Sequence, residues 1–279
     1  MTNPHGSRVA RSAYFLQAHP RAHGTPLHSL SGPIALPKPL ALHMTLHALE
    51  TVDLHAWYGN DHVVRGINIQ VPRGHAVTLL GRQGSGRSTL LRALAGLTDA
   101  RAGSVRINGI ESVHLPGEKV NLLGVGYYSD RHAISSELSC EEHLLLPGEQ
   151  EALGGGLSLI EIYELFPDLY KRRDLPATRL SGGEQQMLAI ARLLRTGVTL
   201  ILLDDICQGM APVAVQAVGR MIESLKQKGY TIVMVQPSWE FSVMSADSYY
   251  IMQDGRIIDQ LAPGQLWAQQ DSLRTLLQA

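Results

Sequence analysis

Apolar and polar positions alternate in a regular order from Met44 onward. TLHALETVDLHAWY and VVRGINIQV flank the turn residues Gly59-Asn60-Asp61, which predicts two strands joined by a tight turn. HAVTLL is a short continuous apolar run, the pattern of a buried strand, and it leads into a glycine-rich loop. STLLRALAGL then reads as a helix stopped at Gly96, and SVRINGI, with Asn108-Gly109, as a hairpin edge. The stretch from about Ser129 to Leu180 is mostly helical, broken by a loop at Gly154-Gly155-Gly156. A strand VTLILLDD, a helix from Val213 to Gln227, a strand YTIVMV and a hairpin SYYIMQDGRII complete the order. Strands alternating with helices predict an α/β fold whose mainly parallel sheet is covered on both faces.

The first 49 residues break this pattern. They hold no Asp or Glu, but six of the twelve His and six of the fourteen Pro. Fragments such as SGPIALPKPLALH lack sustained periodicity, so residues 1–43 read as a disordered extension. Two other readings stay open. An acid-free start with Arg and Ser has the composition of a transit peptide, although frequent Pro and His suit its amphipathic helix badly. Met44 as the true start is the other, and the patterned sequence that follows it favours that slightly.

Composition narrows the function classes. At 279 residues the chain can bury a large core, and 44% apolar with 18% charged residues is ordinary for a globular protein. A net charge of -1 gives no global reason to expect nucleic acid as a partner. Cys140 and Cys207 sit far apart in no metal or redox spacing and suit a reducing compartment. No apolar run approaches the roughly 20 residues a membrane helix needs.

Chemistry first becomes visible at Gly81-Arg82-Gln83-Gly84-Ser85-Gly86-Arg87-Ser88-Thr89. The spacing is that of a phosphate-binding loop, G-x-x-x-x-G-K-[ST], with arginine in place of the lysine. Backbone N–H groups of such a loop cradle phosphate oxygens, and the next helix adds its positive N-terminal end. Ser88 stands where a hydroxyl would bind Mg2+. Glycine-rich strand-to-helix turns also arise for packing reasons, so the loop alone leaves both readings open. A second turn, Leu180-Ser181-Gly182-Gly183-Glu184-Gln185-Gln186, precedes the helical stretch MLAIARLLR. Ser181 and Glu184 fit a capping box, and the glycines form another anion-receptive helix start.

The glycine loop, LSGGEQQ and an apolar strand ending in Asp together resemble the ATP-binding cassette (ABC) ATPases. The resemblance covers essentially Met44 to Ala279. It is strongest to the second ATPase of branched-chain amino-acid importers, through YELFPDLYKRRDLPATRLSGGEQQMLAIARLL, LLDDICQGMAP and DGRII. It implies an ABC ATPase (P-loop NTPase) core with an antiparallel β subdomain and an inserted helical subdomain at about 129–180. Tyr58 matches the aromatic that stacks on adenine, although an ordinary strand tyrosine would read the same. Gly81, Gln83, Gly84, Ser85, Gly86, Arg87, Ser88 and Thr89 match the residues that hold ATP. Ser88, Asp130 and Asp204 match the Mg2+ positions. Ser181, Gly182, Gly183 and Glu184 match the signature, which in these head-to-tail dimers completes the partner's site.

Four positions depart from the family. Arg87 keeps the charge of the loop lysine but is longer and forked. Asp205 replaces the glutamate that polarises the attacking water, shorter by one C–C bond of about 1.5 Å. Asp130 takes the place of a Gln or Glu. Pro237, after Gln236, stands where many members have histidine, and it offers no side-chain donor. The resemblance then implies nucleotide binding that survives in weakened form and impaired hydrolysis at the chain's own site, with Arg87 and Asp205 as its catalytic residues. The competing readings are a slow ATPase and a nucleotide-binding regulatory subunit that completes a partner's site in trans. A DNA-repair or translation ATPase of this family would need a coiled-coil insert or tandem cassettes, which the pattern lacks. The implied partners are membrane permease subunits docked at about Ser129 to Asp174, a second ABC ATPase, alike or different, and a periplasmic or extracellular solute-binding protein. The implied location is the cytoplasmic face of the cell membrane.

Overall fold

A computed structural model describes residues 47–129, 134–135, 137–146, 155–236, 245–269, 271 and 273–275. These belong to the second of two units into which the chain divides, Met44–Ala279. Residues 1–43, Gly154, Asp130 and Pro237 lie outside the described residues.

The two N-terminal strands form as their alternation predicts. β1 (His47–Tyr58) and β2 (Asp61–Pro72) pair antiparallel around the Gly59-Asn60 turn. β4 (Ala100–Ile107) joins β1 on its other side, and β5 (Ile110–Glu111) closes the Asn108-Gly109 hairpin. The result is a four-stranded antiparallel sheet in the order β2-β1-β4-β5.

The second sheet holds β3 (Ala76–Gly81), β6 (Val125–Tyr128), β7 (Leu200–Asp204), β8 (Thr231–Val235), β9 (Ser248–Gln253) and β10 (Arg256–Leu261), in the order β10-β9-β3-β8-β7-β6. Only β10 runs antiparallel to its neighbour. Successive residues of its central strands serve opposite cores, because a strand turns alternate side chains to opposite faces. Ile201 and Leu203 of β7, with Ile232 and Met234 of β8, pack into one cluster. Leu200, Leu202, Val233 and Val235 pack into the other. The first cluster takes α6 (Gly182–Leu194) and α7 (Pro212–Gln227). The second takes α1 (Arg87–Leu94) together with the inner face of the antiparallel sheet. Helix α7 presents Val215, Val218, Met221, Ile222 and Leu225, the one-sided stripe of an amphipathic helix. Cutting one such buried leucine to alanine costs about 2–5 kcal/mol.

The helical stretch is present as α3 (Cys140–Leu145), α4 (Leu159–Leu165), α5 (Pro167–Lys171) and a 3-10 turn at Ala177–Arg179. Three short elements escaped the pattern: α2 (Gly117–Asn121), β6 and α8 (Pro263–Ala268). Each is too short to establish its period. Among the described residues no helix is long and apolar enough to cross a membrane.

Candidate functional site

Parallel pairing sets the C-terminal ends of β3, β8 and β7 side by side. Leu79 pairs with Val235, and Val235 with Asp204. Loops converge on that edge of an open parallel sheet, and ligands bind there. The glycine loop after β3, Asp204 and Asp205 at the end of β7, and Gln236 after β8 therefore meet.

The loop is held from below. Gly86 precedes α1 at φ 98°, a left-handed conformation that suits glycine, and α1 begins with no side-chain cap. Ser85 is buried, and its carbonyl accepts from the N–H of Gly255 at 3.0 Å. The Gly255 carbonyl in turn accepts from the N–H of Arg65 at 2.8 Å. The turn between β9 and β10 is thus clamped between the loop and β2. A Cβ on Gly255 would lie 1.9 Å from the carbonyl oxygen of Val63, so only glycine fits. A Cβ on Gly81 would lie 2.7 Å from Ser85 Oγ, so the Ser85 side chain packs beneath the loop. Gln83, Gly84 and Ser88 are exposed, and Thr89 is half-buried.

Ser88 and Asp204 meet although 116 positions separate them: Ser88 Oγ donates to Asp204 Oδ1 at 2.8 Å. Tyr127 of β6 donates its phenol to Asp204 Oδ2 at 3.0 Å. Burial, and then the Asp204 charge, push the Tyr127 pKa up, so it stays a donor. A hydroxyl and a carboxylate on two rigid elements are the hard oxygen donors that Mg2+ takes. Among the described residues no group of three His, Cys, Asp or Glu could hold a metal alone. A cation at Ser88 and Asp204 would thus complete its shell from ligand and water oxygens, as Mg2+ does beside phosphates.

Arg87 does not simply point into the loop. Its Nη1 donates to the Gln236 carbonyl at 2.6 Å, and its Nη2 lies 3.5 Å from the Arg82 carbonyl. The guanidinium therefore bridges the loop to the end of β8. Burial pulls its pKa down, opposed by the charges of Asp205 and Asp204. Asp205 has a left-handed backbone, φ 50°, and its N–H donates to the Val235 carbonyl at 3.2 Å. Such a conformation in a non-glycine residue costs about 1–3 kcal/mol and is often found at functional positions. Beside it, buried Cys207 has its thiol pushed up to about 11 by burial, as has Cys140, so both are inert.

Tyr58 ends β1 half-buried, with the Arg92 guanidinium 5.5 Å from its ring centroid. The next residue, Gly59, donates its N–H to Asp99 Oδ2 at 2.7 Å, which fixes the turn.

The second glycine turn forms a complete cap. Ser181 Oγ accepts from the Glu184 N–H at 3.3 Å, and Glu184 Oε2 accepts from the Ser181 N–H at 2.8 Å. The Ser181 hydroxyl also donates to Glu184 Oε2, at 2.9 Å. The other carboxylate oxygen of Glu184 meets Arg172 Nε at 2.6 Å. No motif in the sequence marks Tyr127, Gly255 or Arg172 as part of a site. Only Gly255 had a local signal, the Asp-Gly dipeptide of its turn.

Comparison with known proteins agrees with this geometry. The family model described as ABC transporter matches residues 64–208. A high-affinity branched-chain amino acid transport ATP-binding protein, BraG of Pseudomonas aeruginosa, is 34% identical over 203 residues, covering 72% of this chain and 87% of that one. Among solved structures, an ATP-binding subunit of an ABC transporter superposes with a TM-score of 0.68 at 26% identity, covering 83% of this chain and 100% of its own. A cassette of an ABC transporter in its ADP conformation superposes at 0.71 with 23% identity, covering 83% and 97%.

Proposed function

This chain belongs to the ABC transporter family as an ATP-binding subunit, and on that premise we propose that it serves an importer and holds ATP better than it cleaves it. The observation that carries the reading is Arg87, whose guanidinium is engaged by the Gln236 carbonyl. A lysine would put a compact ammonium among the phosphates, and the forked arginine needs more room there.

The roles follow from the chemistry of each group. Backbone N–H groups from Gly81 to Ser88, Gln83 among them, hold the phosphates, and α1 adds its positive end. Tyr58 stacks on adenine, and Thr89 borders the loop. Ser88 and Asp204 would hold Mg2+, with the Asp130 carboxylate proposed as a further oxygen donor, and bound Mg2+ would supply charge stabilisation at the phosphates. Tyr127 fixes Asp204 for that purpose. Asp205 would accept the proton of the attacking water, its carboxylate set back by about 1.5 Å from where a glutamate would place it. A misplacement of that size costs about a hundredfold in rate. Pro237 brings no donor to the γ-phosphate.

Ser181, Gly182, Gly183 and Glu184 serve a second ABC ATPase, alike or different, in a head-to-tail pair. The chain lies peripherally at the cytoplasmic face of the membrane, its helical region docked on permease subunits that receive solute from a binding protein. The name of the Pseudomonas relative supports branched-chain amino acids or related small polar solutes as cargo. The altered cis groups beside an intact signature favour the regulatory version of the reading. In it, the chain completes a partner's active site while its own stays nearly silent.

Binding of a fluorescent ATP analogue and release of phosphate, measured on the chain alone and with its co-purified partner, test this. We expect binding by the isolated chain with little phosphate release, and release once the partner is added. Phosphate release by the isolated chain as fast as by the pair overturns it.

A further inference from the structure

The capping box at the start of α6 has one feature that capping does not require. Glu184 Oε2 alone satisfies the cap, accepting from both the N–H and the hydroxyl of Ser181. Its second oxygen, Oε1, is paired with Arg172, which follows α5 and comes from outside the helix. Glu184 is the more enclosed of the two, with a side chain 20% exposed against 48% for Arg172. The reciprocal cap of α4, formed by Ser158 and Glu161, differs in this respect. Glu161, in the cap of α4, takes its cation from Lys228 on a distant helix end, and both of those side chains are more than a third exposed.

The charge of Glu184 matters because of where it sits. A phosphate oxygen receiving the Ser181 hydroxyl would lie no more than two hydrogen-bond lengths from Glu184 Oε2. A bare carboxylate there repels the anion that the helix start would otherwise attract. The hydroxyl also has one proton, now given to Oε2, and it must release that oxygen to donate to phosphate.

We propose that Arg172 is a positioning residue for the signature turn. It neutralises Glu184, so that Ser181 can leave the carboxylate and the start of α6 can receive the γ-phosphate of ATP bound by a partner subunit. This rests on the reading that the α6 turn serves a partner's nucleotide. It goes beyond that reading by assigning the turn its counter-charge, and by giving the residue after α5 an electrostatic hold on Ser181 through Glu184.

The test uses the full chain with Arg172→Ala, with Arg172→Lys, and with Arg172→Ala joined to Glu184→Gln. ATP-dependent association of the chain, with itself and with its co-purified partner ATPase, is followed by sedimentation at several salt concentrations. Binding of a fluorescent ATP analogue to the isolated chain and thermal midpoints are measured alongside. Arg172→Ala is expected to weaken ATP-dependent association about tenfold, most at low salt, and to leave cis nucleotide binding within about twofold. Arg172→Lys keeps the charge and recovers most of the loss. The double variant recovers it as well, because glutamine can cap and carries no charge to neutralise. A purely structural tether would not be restored by Glu184→Gln. Unaltered association in Arg172→Ala, or a double variant no better than the single one, overturns the proposal. Failure of the unsubstituted chain to associate with either partner in ATP overturns this proposal and the trans reading together.

Discussion

The glycine loop and the start of α6 are the same device in different condition. Each is a glycine turn feeding a helix whose first N–H groups have no partner along the helix itself. At the loop, Gly86 begins α1 with no side-chain cap, Arg87 is drawn to the Gln236 carbonyl, and a short Asp205 stands on left-handed backbone. At α6, Ser181 and Glu184 complete a reciprocal cap, and Arg172 balances the carboxylate. Holding an anion is mainly the work of backbone groups, which tolerate side-chain change. Cleaving one depends on side chains placed to within an ångström. On the function proposed above, one region has lost the second property and the other retains the chemistry it needs.

The contrast is sharpest in variants that should affect cis ATP binding on one side only. Gly255→Ala forces a Cβ into the Val63 carbonyl and unseats the turn that clamps the loop. The affinity of the isolated chain for ATP should fall about a hundredfold, as read by equilibrium titration. Tyr58→Ala should weaken ATP about tenfold through lost stacking, measured against a base-free polyphosphate that it leaves unaffected. Equal losses for both ligands would remove Tyr58 from the adenine site. Ser181→Ala is the smallest effect and the most informative negative. It should lower unfolding stability by about 1 kcal/mol in denaturant melts, with cis ATP affinity unchanged. A loss of cis affinity there would erase the division between the two regions.

How much of this could be read from the sequence depends on the distance over which each feature is encoded. The strands other than β6 and the major helices follow from local period, and both glycine turns from contiguous motifs. The Ser181 and Glu184 cap was visible at its spacing of three residues. Tyr127 meets Asp204 across 77 positions, and Arg87 reaches Gln236 across 149, so no local pattern announces either contact. The Arg87 substitution was legible as a departure, but its tie to β8 was not. That tie needs β8 to lie between β3 and β7, an order the sheet alone reveals. Gly255 reads as an ordinary hairpin turn until the Val63 carbonyl is found against it. Arg172 sits in a run of charged residues that reads as a solvated surface, with no period to mark it as the partner of Glu184.

The most direct measurement is single-turnover ATP hydrolysis by the isolated chain, compared with the same chain carrying Arg87→Lys and Asp205→Glu together. The expected result is a slow first turnover that the paired reversion raises by about a hundredfold, with ATP affinity changed far less. Rapid turnover by the unsubstituted chain, left unchanged by the reversion, would contradict it.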